Sequence, residues 1–187
     1  DLYWKIALAV PNIEYACRQL EKTNVDVSVP RQFEDVGYLA KFVDPEGYSV
    51  ELIEHWFKGN RQQEPFDAKR LGGGAHLNLI TLRTAEIEPI EKKCLEWGMT
   101  PLCIQNLDKY GFTLYFYGFT PETLPHSDLH HVSNREWVYQ RKYTVLEVQH
   151  VHLLDAIRHP KTGQAGYAGT SLSGLKGLIG RNDLLID

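Results

Sequence analysis

The stretch FVDPEGYSVELIEHW, residues 42–56, reads as a tight turn followed by a strand, with an acid at Glu51 where an apolar residue would be expected. Asp44-Pro45-Glu46-Gly47 puts Pro and Gly where a type I turn prefers them. Strand side chains alternate between faces, so Tyr48, Val50, Leu52 and Glu54 share one side while Ser49, Glu51, Ile53 and His55 share the other. An unpaired carboxylate on an enclosed face costs several kcal/mol. Glu51 there requires a cation, a hydrogen-bond donor or a proton of its own.

Upstream of this strand, YWKIALAV reads as another strand, followed by Pro11 and by NIEYACRQLEK, where Ile13, Ala16, Cys17 and Leu20 recur at helical spacing behind an Asn12 cap. VDVSV and GYLAKFV read as further strands, so the order up to His55 is βαβββ. The polar, Gly-rich segment FKGNRQQEPFDAKRLGGG then reads as a connector. After it the pattern restarts. HLNLITLRT is strand-like, EIEPIEKKCLEWG is helical with Ile87, Ile90, Cys94 and Trp97 on one side and Pro89 in its first turn, and GFTLYFYGF and YTVLEVQHV supply later strands. Placing Ile13 against Ile87 also sets Leu20 against Cys94 and Val25 against Met99, in agreement with two copies of one unit. Between the last two strands lies TPETLPHSDLHHVSNREW. It either covers a site or is a solvated loop whose His126, His130 and His131 have no special role.

Each copy carries one Glu in its last strand, Glu51 and Glu147, flanked by aliphatic residues. Converging, the two carboxylates could bind a divalent cation, or one could move a proton; alternatively both face solvent on half-exposed sheets.

The bulk composition excludes several classes. The chain has 187 residues, 43% hydrophobic and 24% charged, with a net charge of -4, an ordinary globular composition. No basic run alternates with aromatics, so no nucleic-acid partner is expected. No run of about eighteen apolar residues exists and the N-terminus lacks a signal-peptide pattern, so no membrane partner and a cytoplasmic location are expected. Cys17, Cys94 and Cys103 lack CxxC spacing and read as buried free thiols. The abrupt strand-like start raises the expectation that Asp1 is not the native start and that the parent chain is longer.

The stretches IALAVPNIEYACRQL, FVDPEGYSVEL, GFTLYFYGF and QRKYTVLEVQH, spread over most of residues 3–152, resemble the vicinal oxygen chelate superfamily of glyoxalases, bleomycin-resistance proteins and extradiol dioxygenases. Within it they are most similar to the glyoxalase I group, with FVDPEGYSVEL matching its DPDGxxxEL strand ending. The first copy resembles the C-terminal module of a glyoxalase I and the second its N-terminal module. The resemblance implies an α+β fold in which paired βαβββ modules form a glyoxalase-like curved sheet or half-barrel. It divides the chain into a first module at 1–58, a linker at 59–73, a second module at 74–156 with an inserted loop at 120–137, and a Gly-rich tail at 157–187 that leads to, or remains from, another module. A cavity closed within one chain and a homodimer are both compatible with that organisation.

Carried over residue by residue, the resemblance makes Glu51 a metal ligand and proton-transfer base, and Glu147 a metal ligand and opposing base. Lys5 stands where the family usually has a His. The matching position of the second copy falls on Leu79, Asn78 or His76 according to register, and of these only His76 is a typical transition-metal ligand. Glu51, Glu147 and His76 could then hold Zn, Ni, Mn or Fe for a glyoxalase-like lyase or isomerase acting on a small α-oxo or thiol-adduct substrate. The glutathione-binding polar residue does not carry over into VQHVH, and His150 and His152 face away from Glu147. An extradiol site lacks its second His. The alternative is a metal-free small-molecule binding protein of the bleomycin-resistance type, with Lys5 paired to the acids and a cavity lined from Trp4, Tyr115 or Tyr117.

Overall fold

The computed structural model describes residues 2–158, and the tail from 159 onward lies outside the described residues. Eight strands and three helices occur among them, in the order β1 (Tyr3–Val10), α1 (Ile13–Glu21), β2 (Arg31–Phe33), β3 (Gly37–Val43), β4 (Ser49–Glu54), β5 (His76–Thr84), α2 (Glu88–Glu96), β6 (Thr100–Leu107), β7 (Phe112–Gly118), α3 (Val132–Tyr139) and β8 (Val145–Val151). The strands form one mixed sheet ordered β2-β3-β4-β1-β5-β8-β7-β6. The sheet is curled into a half-barrel, the glyoxalase-like α+β fold that the resemblance implies. β1 runs parallel to β4, β5 parallel to β8, and β1 meets β5 antiparallel at the centre, with Lys5 opposite Thr81.

Local sequence explains most of these elements. Asn12 caps α1, its side-chain oxygen accepting from Tyr15 N at 2.8 Å, and the buried carboxylate of Glu54 accepts from Ile13 N at 3.0 Å. Asn12→Ala should therefore lower stability by about 1 kcal/mol in urea unfolding. Asp44 Oδ1 accepts from the amides of Glu46 and Tyr48, and Gly47 sits at φ 91°, a conformation suited to glycine. One outer face of the sheet is covered by α1, where Ile13, Ala16 and Cys17 meet Val10, Tyr38, Ala40 and Leu52. The other outer patch is covered by α2, where Ile90 and Cys94 meet Tyr117 and Val148. All three cysteines are free and buried.

Two elements differ from the reading of the sequence. VDVSV, residues 25–29, forms no strand; Ser28 makes only an isolated pair of contacts with Lys41, and the paired strand is the shorter β2 that begins after Pro30. Pro30 has no N–H to give a ladder. TPLCIQNL, which the sequence reading did not single out, forms the edge strand β6.

The segment TPETLPHSDLHHVSNREW is not merely a solvated loop. Its end becomes α3, whose Val138 and Tyr139 pack on the inner face of the sheet against Ala7, Ala9, Ile53, Leu79 and Val145. His131 is the N-cap of α3, and Asn134 holds the approach to it by accepting from His126 N and donating to the carbonyls of His126 and Asp128.

Candidate functional site

The inner face of the sheet brings together one polar residue from each of the four central strands: Lys5 on β1, Glu51 on β4, Thr81 on β5 and Glu147 on β8. All four are buried. The alternation seen in the sequence aims Glu51 and Ile53 inward and Leu52 toward α1. Lys5 Nζ donates to Glu51 Oε1 at 2.8 Å and to Glu147 Oε2 at 3.0 Å. Thr81 Oγ1 donates to Glu147 Oε2, and Lys41 Nζ reaches Glu51 Oε2 at 3.5 Å from the pocket mouth. Burial alone would lower the pKa of Lys5, but the carboxylates of Glu147 and Glu51 outweigh it and hold the pKa above its ordinary value. The ammonium is thus locked in its charged form.

His76 does not join this cluster. It lies opposite Ala9, four residues along β1 from Lys5, about 13 Å at the usual strand rise. Its Nε2 donates to the carbonyl of Arg141 at 2.6 Å, and burial lowers its pKa to about 4. Strict alternation would have placed His76 and Asn78 on one face and Leu79 on the other. A register shift between Ala7 and Leu8 leaves Asn78 as an extra residue on β5, and Leu79 and Asn78 both reach the inner face. The residue opposite Ala7 is Leu79, and the residue opposite Lys5 is Thr81.

A cavity of about 90 Å³ opens beside Lys5, bounded by Trp4, Phe33, Phe112 and Tyr139, with Arg31 and Lys41 among its lining. A second register shift, between Tyr3 and Lys5, turns Trp4 inward, where its ring lies 4.9 Å from Lys5 Nζ and 6.1 Å from the Phe112 ring. Tyr115 and Tyr117 point the opposite way and pack under α2, so the aromatic wall comes from Phe33, Phe112 and Tyr139 together with Trp4. Their position on β7 differs by one residue from that of inward-facing Leu114 and Phe116, a parity that the aromatic run GFTLYFYGF obscures. Tyr139 Oη donates to Val36 O at 2.8 Å, and burial, reinforced by Glu147, keeps the phenol neutral.

The donor set does not suit the divalent metal implied by the sequence resemblance. Two carboxylates and a hydroxyl are present, but the space between the carboxylates is taken by an ammonium, which has no lone pair while charged. Among the described residues no group of three or more His, Cys, Asp or Glu side chains is arranged to hold a metal ion. No helix among them is long and apolar enough to cross a membrane. His150 and His152 bond Ala85 O and Thr113 Oγ1, away from the cluster.

No protein-family model matches the sequence, and no curated protein matches it either. Solved structures do share its shape. Glyoxalase I from Zea mays superposes with a TM-score of 0.57 at 19% identity, covering 82% of this chain and 44% of that enzyme. A structure of a single-substitution variant of the maize enzyme gives 0.56 at 18% identity, with 82% and 44% covered. The chain thus spans under half the length of the enzyme it matches. The curled eight-stranded sheet, with β1 and β5 at its centre, is the vicinal oxygen chelate fold, here shared with glyoxalase I.

Proposed function

We propose that this chain is a metal-free small-molecule-binding module on a vicinal oxygen chelate fold, in which Lys5 supplies the positive charge that a divalent ion would otherwise bring. The observation that carries this reading is the contact of one ammonium with both Glu51 and Glu147. Lys5 offsets one of the two negative charges, Lys41 approaches the other oxygen of Glu51 at 3.5 Å and Thr81 donates to Glu147, so both carboxylates are already engaged by donors of this chain. The cavity then offers an apolar, aromatic wall from Trp4, Phe33 and Phe112 and a cationic mouth from Lys41 and Arg31. At about 90 Å³ it is well below the roughly 300–1,000 Å³ of ordinary ligand pockets, so its ligand is small or displaces a side chain on entry. Three free, buried thiols suit a reducing, cytoplasmic compartment.

The competing reading is a glyoxalase-like, metal-dependent proton transfer by Glu51 and Glu147 on an α-oxo or thiol-adduct substrate. It requires Lys5 to leave the space between the two acids. Elemental mass spectrometry on wild type and on the Glu51→Gln, Glu147→Gln double variant separates the two. The expected result is a metal content, whatever its value, that is the same in both proteins. Near-stoichiometric Zn, Ni, Mn or Fe in wild type that disappears from the double variant would overturn the metal-free reading.

A further inference from the structure

Away from the Lys5 cluster, at the C-terminal end of α3, two imidazoles stand side by side with their outer nitrogens already engaged. His55 Nδ1 bonds Glu64 Oε2 at 2.7 Å, and His76 Nε2 donates to the carbonyl of Arg141 at 2.6 Å. A carboxylate or carbonyl oxygen accepts, so each bond places the ring proton on the nitrogen that makes it and leaves a lone pair on the other. Those other nitrogens, His55 Nε2 and His76 Nδ1, are both buried and have no hydrogen-bond partner among the described residues. His55 is 1% exposed. Asn78 is fully buried, and its amide donates to Val138 O and to the same Arg141 carbonyl, leaving Oδ1 buried and without a partner among the described residues.

We propose that His55 Nε2 and His76 Nδ1 hold a divalent transition-metal ion, with Asn78 Oδ1 as a third donor. The ring spacing leaves room for a shared ion. The ring centroids are 5.5 Å apart, with the planes at 50°. For an ion bound by both lone pairs at a metal–nitrogen distance of about 2.0–2.1 Å, each centroid would lie about 3.2 Å from it, and the observed spacing would correspond to an angle of about 120° at the ion. That falls between tetrahedral and trigonal geometry. The outer bonds are the second ingredient, because metal-ligating histidines generally donate their remaining N–H to a carboxylate or a backbone carbonyl, and here one histidine has each.

The surroundings favour a cation on balance. Glu64 is in direct contact with His55, and the last carbonyls of α3 present the negative end of a helix dipole. Lys142 and Arg70 oppose it, but both are exposed and screened by solvent. Neutral imidazoles and a carboxamide oxygen select a borderline ion, which makes Zn²⁺ the probe. His76 is only half-buried, so the two rings lie close to the surface.

Titration of the purified protein with Zn²⁺ by calorimetry should show one ion per chain. His55→Ala and His76→Ala should each abolish that uptake, and Glu64→Ala, which removes the carboxylate behind His55 together with the acceptor of Trp56 Nε1, should weaken it by about 10- to 100-fold. Glu51→Gln with Glu147→Gln should leave it unchanged, which keeps this site separate from the fate of the Lys5 reading. Because replacing a buried histidine can unfold the chain, ring-nitrogen NMR of wild type supplies a second measurement. Of the eight histidines, Zn²⁺ should shift the lone-pair nitrogens of His55 and His76. Failure to bind one Zn²⁺, shifts confined to other histidines, or uptake that vanishes in the Glu51, Glu147 variant would overturn the assignment. In the first case the gap between the rings holds water only.

Discussion

Lys5→Met should lower the stability of the protein by about 3–5 kcal/mol in urea unfolding, the penalty expected when one partner is removed from a buried ion pair. Lys5, Glu51 and Glu147 are exposed by only 3%, 4% and 2%, so water does little to solvate the carboxylates once the ammonium is gone. Thr81 still donates to Glu147, and Lys41 still approaches Glu51 at 3.5 Å from its half-exposed position. These contacts soften the loss without replacing a cation that touches both acids. The complementary variant carries Lys5→Met, Glu51→Met and Glu147→Met together. It should regain wild-type stability or exceed it by about 1–4 kcal/mol, because well-packed apolar side chains avoid desolvating three charges. A loss below about 1 kcal/mol for Lys5→Met alone would mean that the acids are already neutralised without it.

Tyr139→Ala should cost a further large amount, about 3–5 kcal/mol, by emptying the space that this ring fills on the inner face. The ring is 1% exposed, touches the aliphatic core shared by all the central strands, and its hydroxyl satisfies Val36 O at 2.8 Å. Tyr139→Phe keeps the volume and leaves that carbonyl without its donor, so its expected loss is smaller, about 1–3 kcal/mol. The alanine variant has a second expected property. Tyr139 bounds the cavity beside Lys5, so its removal should enlarge the pocket enough to admit a benzene-sized apolar molecule, seen as a rise in melting temperature on adding indole or toluene. Destabilisation without any such ligand effect would show that α3 collapses into the gap.

The fold was legible where local chemistry and periodicity agree. Asn12 before an amphipathic run, the Asp44 to Gly47 turn, and the alternation through Glu51 and Ile53 all follow from short-range rules, and the structure carries each of them. α3 was hidden because its segment is rich in Pro, His and polar residues. Its buried face consists of Asn134, Arg135, Val138 and Tyr139, a face whose polar members look solvated until Arg135 is seen paired with Asp35. Bulges were a second obstacle. Register shifts at Trp4 and Asn78 change which side chains face inward, and neither leaves a mark in the sequence, because no Gly or Pro stands at either position.

For the site, parity placed His55 on the face of Glu51, and that was the available signal for a role the sequence reading did not give it. Its partner Glu64 lies in the connector, where composition alone suggested nothing but solvent. The pairing of Lys5 with both acids depends on strands 46 and 142 residues apart in sequence, a separation over which no spacing rule operates.

The central seam also bears on which halves assemble with which. The β1 to β4 half brings Lys5 and Glu51, whereas the β5 to β8 half brings Glu147 and Thr81 and, among the described residues, no cation in contact with that carboxylate. Two copies of the second half joined to each other would bury a pair of carboxylates with only hydroxyls to face them, at several kcal/mol apiece. Joined to the first half, the same carboxylate finds an ammonium waiting at hydrogen-bond distance. A single lysine therefore acts as a mark between two otherwise similar surfaces, penalising the self-pairing of the half that lacks it.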